Sequence, residues 1–294
     1  MSNSGHLFLE SVTNRGILET IKRCFSIVER YGLVRKKLHQ NMKFLSDTLQ
    51  EYDINATIFI TSSVLSHNTD IMDIIDIDRI ELAVHGFDHI DYTKLSAEDV
   101  ASHLRQAIET FEENKIKAYG FRAPYLKIND IVLKVISDTG MIYDSSYPIY
   151  FDTIPQDSLK YHLVEKILRL YDLRYNAPKI SKIEQIQEIP VALPDDEILV
   201  DRLNFDPKQV SKCWIDSINM SLKTDGGVFV LQLHPERISF LKESLIDTIN
   251  WAVKNNIQIK SLAEIAKNGT RPGSHYMAIT GDIDIVKLSD IARG

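Results

Sequence analysis

Four short segments carry side chains whose types and spacing could do chemistry together. His85 and His89 stand four residues apart in HGFDH, directly after the apolar run IELAV. That spacing can turn two imidazoles the same way on a helical turn, and neutral imidazole is the commonest metal ligand. The same pair could instead cap or hydrogen-bond its own loop. Asp88 between them reads as a loop acid or one that supports the histidines from behind; as a ligand itself it has no support from the spacing. The segment Thr280-Gly281-Asp282-Ile283-Asp284 follows another apolar run. It is either a polar turn or a source of two carboxylates. One would complete a metal site with the histidines, and the other would act as general base on a water beside the metal.

Phe121-Arg122-Ala123-Pro124-Tyr125 supplies a cation at a strand end. A fixed guanidinium lowers the pKa of a neighbouring carboxylate and holds its orientation, and Pro124 stiffens the turn that follows. VLQLHP ends in His234, which is either a satisfied structural histidine or a general acid for a departing amine. Period-two alternation puts Gln232 on the same side of the strand as His234.

Positioning such residues requires strands that end where they sit. Apolar runs at 56–61, 80–84, 118–122, 141–144, 188–193, 228–234, 257–260 and 276–282 read as strands. Amphipathic stretches at 16–29, 35–50, 97–114, 130–139, 207–222 and 241–254 read as helices. Ser96 with Asp99 signals the start of one of these, and Gly140 the end of another. Strand–helix alternation argues for a parallel sheet covered by helices. Seven or eight such units without a Rossmann glycine turn favour a closed barrel, whose functional residues gather at the C-terminal ends of the strands. The polar residues that close the runs are Thr61, His85, Arg122, Asp144, Asp195 with Asp196, His234, and Asp282 with Asp284.

Composition narrows the function classes. The chain has 294 residues, with 34 Lys+Arg against 41 Asp+Glu and a net charge of −7, a poor balance for general nucleic-acid binding. Apolar residues at 44% and charged residues at 26% are ordinary for a globular chain and exclude whole-chain disorder. No Walker A or G-x-G-x-x-G pattern is present, so the usual phosphate cradles are missing. Cys24 and Cys213 are the only cysteines, which excludes a disulfide framework. No leader-like segment and no apolar run of about 18 residues is seen, so a cytoplasmic protein without a transmembrane segment is expected.

Taken together, the segments resemble the NodB-homology polysaccharide deacetylases, carbohydrate esterase family 4. ATIFIT looks like the family's second strand, and HGFDHIDYTKLS like its H-[ST]-x-x-H metal motif with the T-K-L-S that follows. GFRAPY looks like the R-x-P-Y motif and VLQLHP like the final L-x-L-H motif. The likeness runs from about Ala56 to His234 in the family's order. The T-F-D-D that ends the family's first strand has no counterpart before Asn55, and the only candidate is AITGDID near the C-terminus. The chain therefore reads as circularly permuted, with the first barrel strand supplied last.

The resemblance implies a distorted (β/α)7-type α/β barrel in a single domain over 1–294, with 1–54 a helical lead-in and 55–294 the barrel. It implies that His85, His89 and Asp284 bind a divalent metal, zinc first, with Co, Ni, Fe and Mn as alternatives. Asp282 would be the catalytic base and Arg122 its orienting cation. The Tyr125 N–H would stabilise the oxyanion, and His234 would be the general acid. Ile283 stands where the family's metal-binding Asp usually follows the base, so the division of labour between Asp282 and Asp284 stays open. Gly86 replaces the usual Ser/Thr, which removes a loop hydrogen bond. Asp144 is a candidate partner for His234 or Arg122. Asp144, Asp195 and Asp196 are candidate substrate contacts, with a simple turn as the alternative at 195–196.

The expected reaction is hydrolysis of an N-acyl group, acetyl first, from an amino sugar in a glycan or glycan precursor. The alternatives are hydrolysis of a small ureide-like amide, and a degenerate deacetylase that only binds glycan. Arg15, Lys22, Arg23, Arg30, Arg35, Lys36 and Lys37 form either a solvated helical face or a contact for an anionic membrane or phosphate-bearing substrate. The stretch 151–187 is long for a βα connection and is a candidate lid or homo-oligomer contact.

Overall fold

The computed structural model describes residues 36–156, 160–169, 171, 173, 179–224 and 226–284. The helix expected at 16–29, and Arg15, Lys22, Arg23, Arg30 and Arg35, lie outside the described residues. Helix α1 (Lys36–Glu51) buries Leu38, Met42, Leu45 and Leu49, one stripe at helical spacing. It leads into β1 (Ala56–Ile60), where every residue is buried. A short helix α2 (Ser62–His67) precedes β2 (Ile80–Val84). Helix α3 (Ala97–Glu113) starts at Ser96, whose hydroxyl accepts the Asp99 N–H at 3.1 Å. Then come β3 (Gly120–Phe121), α4 (Asp130–Ser137), β4 (Tyr143–Asp144), β5 (Pro148–Tyr150) and α5 (Tyr161–Leu168). Strands β6 (Ser181–Ile183), β7 (Ile186–Glu188) and β8 (Val191–Leu193) follow. A π-helix (Glu197–Arg202) leads to α6 (Pro207–Ser221), β9 (Val228–Leu233), α7 (Ile238–Lys254), β10 (Gln258–Ile259), α8 (Leu262–Asn268) and β11 (Tyr276–Ile283).

The main sheet runs β9-β11-β1-β2-β3-β4-β7-β6, with β10 also on β11. All its pairings are parallel except the β6–β7 hairpin. Strand β11 is central. One edge pairs with β9 from Tyr276 to Gly281, and the other pairs with β1 from Ile279 to Ile283. All eight of its residues are buried, as expected of a parallel strand covered on both faces. Gly281 is needed there because a Cβ would sit 2.9 Å from Ile58 Cδ1 and 3.1 Å from the Leu233 carbonyl.

The α/β architecture is as expected, but no hydrogen-bonded closure of the barrel exists among the described residues. The expected strand at 188–193 is two strands in different sheets. Strand β7 ends on β4 at Glu188, whereas β8 pairs with β5 and packs against β9 without a ladder to it. Pro190, between them, has no N–H to continue a ladder, so the chain changes sheet at that point. Among the described residues no helix is long and apolar enough to cross a membrane.

Candidate active site

Strand ends deliver the polar residues to one place. His85 follows β2, and its N–H donates to the Ile60 carbonyl at 3.0 Å, extending the β1–β2 ladder. Its Nδ1 lies 2.9 Å from the Arg122 carbonyl, so Nδ1 is the protonated nitrogen and Nε2 is the free one. Gly86 turns the chain at φ +83°, where a Cβ would meet the Tyr92 hydroxyl at 2.8 Å. That hydroxyl accepts the Phe87 N–H at 2.7 Å. Tyr92 thus bonds within the loop where the Ser/Thr of the resemblance is missing.

His89 ends this loop and Asp284 directly follows β11. His85 Nε2 lies 3.4 Å from Asp284 Oδ1, and His89 Nε2 lies 3.4 Å from Asp284 Oδ2. One ligand atom from each residue falls within 4.8 Å of the others. These separations are long for hydrogen bonds. They are about the ~3.4 Å that separates two ligands each ~2.1 Å from a tetrahedral ion. Asp284 Oδ1 is buried with no hydrogen-bond partner. Burial lowers the pKa of His85 and takes that of His89 down to about 4, while it raises that of Asp284. Two neutral imidazoles facing an unpartnered carboxylate oxygen suit a divalent cation.

Asp282, two residues earlier on β11, is almost fully buried. Arg122 Nη1 donates to its Oδ1 at 2.9 Å and Gln232 Nε2 to its Oδ2 at 2.8 Å. Burial raises the Asp282 pKa, but the Arg122 charge, with His85 and His234, outweighs it and holds the carboxyl below its ordinary value. Arg122 is itself immobilised. It donates to the Ser145 carbonyl and hydroxyl and to the Thr280 hydroxyl, and it lies 4.2 Å from the centre of the Phe59 ring. The alternation argument placed Gln232 on the side of His234; what it bonds is Asp282.

His234 follows β9. Its Nδ1 and its backbone N–H reach the two oxygens of Asp196, at 2.7 and 2.8 Å. Burial disfavours the charged ring, yet the Asp196 charge and hydrogen bond raise its pKa to about 10. His234 therefore stands protonated. Its charge also bears on His89, Asp282 and Asp284.

Tyr125 sits in a turn at φ +60°, and Leu126 follows at φ +54°. Both are in the left-handed region that costs a non-glycine residue energy. The Tyr125 ring is exposed, lies 4.4 Å from the His89 ring and donates its hydroxyl to the His89 carbonyl at 3.4 Å.

Three expected residues are engaged otherwise. Asp144 is fully buried, and of its two expected partners it is the Arg122 charge that bears on it. Its two oxygens accept the hydroxyl and N–H of Ser146, at 2.7 and 3.1 Å, and the buried Glu188 bears on its ionisation. Asp195 accepts the Ile198 N–H at 2.8 Å at the start of the π-helix, and burial raises its pKa to about 7. Asp196 is fully buried, and both of its oxygens are engaged by His234. Sequence reasoning left its pairing with His234 unassigned, because no local pattern links residues so far apart. The stretch 151–187 contributes α5 and β6; part of it lies outside the described residues.

Residues 6–143, just under half of the chain, match the sequence pattern of the polysaccharide deacetylase family. A comparison with curated proteins returns no match. Among solved structures, a provisionally named polysaccharide deacetylase from Mycobacterium smegmatis superposes with TM-score 0.61 at 17% identity, covering 89% of this chain and 85% of that one. The PuuE allantoinase superposes with TM-score 0.59 at 14% identity, covering 77% and 71%. A family 4 carbohydrate esterase from Streptomyces lividans, solved with acetate, superposes with TM-score 0.50 at 12% identity, covering 80% and 91%. At such identities the likeness to these structures is one of fold.

Proposed function

We propose that this chain is a deacetylase of the NodB-homology type, a metal-dependent hydrolase that removes an N-acyl group, acetyl first, from an amino sugar. The observation that carries the reading is one convergence. His85, His89 and Asp284 offer ligand atoms within 4.8 Å of one another, flanked by a carboxylate held ionised and a histidine held protonated.

His85, His89 and Asp284 would hold the ion, zinc first, with Co, Ni, Fe or Mn as alternatives. When bound, a divalent ion polarises the substrate carbonyl and lowers the pKa of water. Asp282, anionic and fixed through both oxygens, takes the proton from the attacking water. The strained turn presents the Tyr125 N–H to the developing oxyanion. His234 gives its proton to the departing nitrogen, and Asp196 keeps that proton in place beforehand. In this division Asp282 is the base and Asp284 the ligand, because Asp282 already spends both oxygens on Arg122 and Gln232.

The position of β11 supports reading the chain as permuted. The strand that bears Asp282 and leads into Asp284 comes last among the described elements, yet it lies parallel between β9 and β1. A second reading, hydrolysis of a small ureide-like amide, draws support from the allantoinase fold likeness.

The test is release of acetate or formate from N-acetyl and N-formyl amino sugars by purified protein with added Zn or Co, run beside a ureide panel. Turnover of the sugars supports the first reading, and turnover of ureides alone supports the second. Metal-free glycan binding without turnover would replace both with a binding protein.

A further inference from the structure

We propose that Arg237 is a positioning residue for the proton donor. It grips Asp196 from beyond His234 and ties it to Asp201 across the π-helix. The idea deepens the function proposed above and rests on it for the reaction step, but not for the geometry.

Asp196 is fully buried between two cations that come from a single turn, His234-Pro235-Glu236-Arg237. Both Asp196 oxygens already accept hydrogen bonds from His234, and Arg237 Nη1 approaches Oδ2 at 3.6 Å. Arg237 is only 5% exposed. Its Nη2 and Nε both reach the Asp201 carboxylate, a two-pronged contact that a lysine could not copy. Glu236 lies 3.5 Å from Nη1. The turn cannot drift, because Arg237 N–H donates to the His234 carbonyl at 2.8 Å and Asn41 of α1 donates to the Pro235 carbonyl at 2.8 Å.

The irregular helix now has a physical role. Asp196 and Asp201 are five residues apart. In an α-helix five residues overshoot one turn by about 140°, which would point the two carboxylates apart. The π-helix closes i→i+5 bonds, as in Leu203 N–H to the Ile198 carbonyl at 3.0 Å, so residues at that spacing come round to one side. One guanidinium can then meet both. Such helices are found often at functional sites.

The charged groups around this unit are Asp195, Asp196, Glu197 and Asp201 from the β8–π-helix segment, and Glu236 and Arg237 from the turn after β9. Asp282 and Asp284 of the β11 end and His89 of the loop after β2 face His234.

The experiment uses the full chain with labelled histidine nitrogens. The Nδ1–H of His234, bonded to a buried carboxylate, should give a downfield proton resonance that disappears in His234→Gln. In Arg237→Met, folded by circular dichroism, the resonance should broaden or vanish and kcat fall about tenfold or more, with KM and bound metal unchanged. Arg237→Lys should restore the charge but only part of kcat. A wild-type resonance and wild-type kcat in folded Arg237→Met would overturn the proposal. If that variant does not fold, Asp201→Asn removes the more exposed anchor, and the same loss or retention of the resonance decides. A resonance that is lost in a protein inactive on every acyl sugar would leave the positioning role standing and overturn the assigned reaction.

Discussion

The histidines at the two sides of the site hold different charge states, neutral on one side and protonated on the other, although burial pushes all of them toward neutrality. His85 and His89 face Asp284 across 3.4 Å with no hydrogen bond, and their pKa values fall, that of His89 to about 4. His234 meets Asp196 at 2.7 Å, and its pKa rises to about 10. The difference teaches that the distance and fixity of the carboxylate decide where the proton sits. Asp284 is left with an unpartnered oxygen and is itself pushed toward neutrality. Asp196 is anchored by the backbone N–H of His234 and by Arg237 and stays ionised. One side can accept a cation; the other already stores a proton.

Breaking the neutral side should have the largest effect. His85→Ala with His89→Ala should abolish stoichiometric divalent metal by elemental analysis. It should also lower hydrolysis by on the order of 10³-fold or more, since a metal ion contributes several kcal/mol to such a transition state. Full activity in that double variant would sink the metal mechanism. Asp282→Asn should retain metal and lose about 10²–10⁴ in kcat, the range for a general base.

Asp196→Asn tests the charged side. Without its anion, the His234 ring should lose its proton at lower pH, and the basic limb of the pH–rate profile should move down from near 10. At pH 8 the loss in kcat should be about tenfold or more, recovering as pH falls. An unmoved basic limb would show that the pair does not hold the catalytic proton. In the wild-type chain, linkage follows the same sign. The folded pKa of His234 lies above its unfolded value of about 6.5, so its stabilisation is whole below that pH and drains away as pH rises through about 10. Asp196 acts in reverse, and its share is lost as pH falls below its ordinary carboxylate range. Thermal melts across pH should show both declines.

The smallest effect concerns the loop between His85 and His89. Gly86→Ala places a Cβ at positive φ against Tyr92 and should cost about 1–2 kcal/mol in denaturant unfolding. The companion Tyr92→Phe should weaken metal binding with little change in fold, because the Phe87 N–H loses its acceptor.

Much of this was legible along the chain. The apolar runs that become β1, β2, β9 and β11 stand out because buried parallel strands are continuous and terminate at polar residues. His85 and His234 directly follow β2 and β9, Arg122 follows the short β3, and Asp282 is the last but one residue of β11. The resemblance directed attention to 280–284 for the acids of a first strand, and β11 lies between β9 and β1. Less was readable where a proline intervenes, since a single apolar run at 188–193 conceals a change of sheet at Pro190. The acids at 195–196 read as a turn or a substrate contact, because their partners lie beyond the next helix and strand.

Local chemistry alone determined which side chains could bind a metal, carry a charge or move a proton, and where strands had to end to present them. Hydrophobic periodicity and imidazole or carboxylate chemistry act over a few residues, so one-dimensional order is enough to see them. Only the tertiary structure decided which proton stays where. It joined Asp196 to His234 and Arg237, tied Asp282 to Arg122 and Gln232, and left Asp284 facing two neutral rings. Those outcomes depend on burial and on ångström-scale distances between residues remote in sequence, and neither quantity exists until the sheet has assembled.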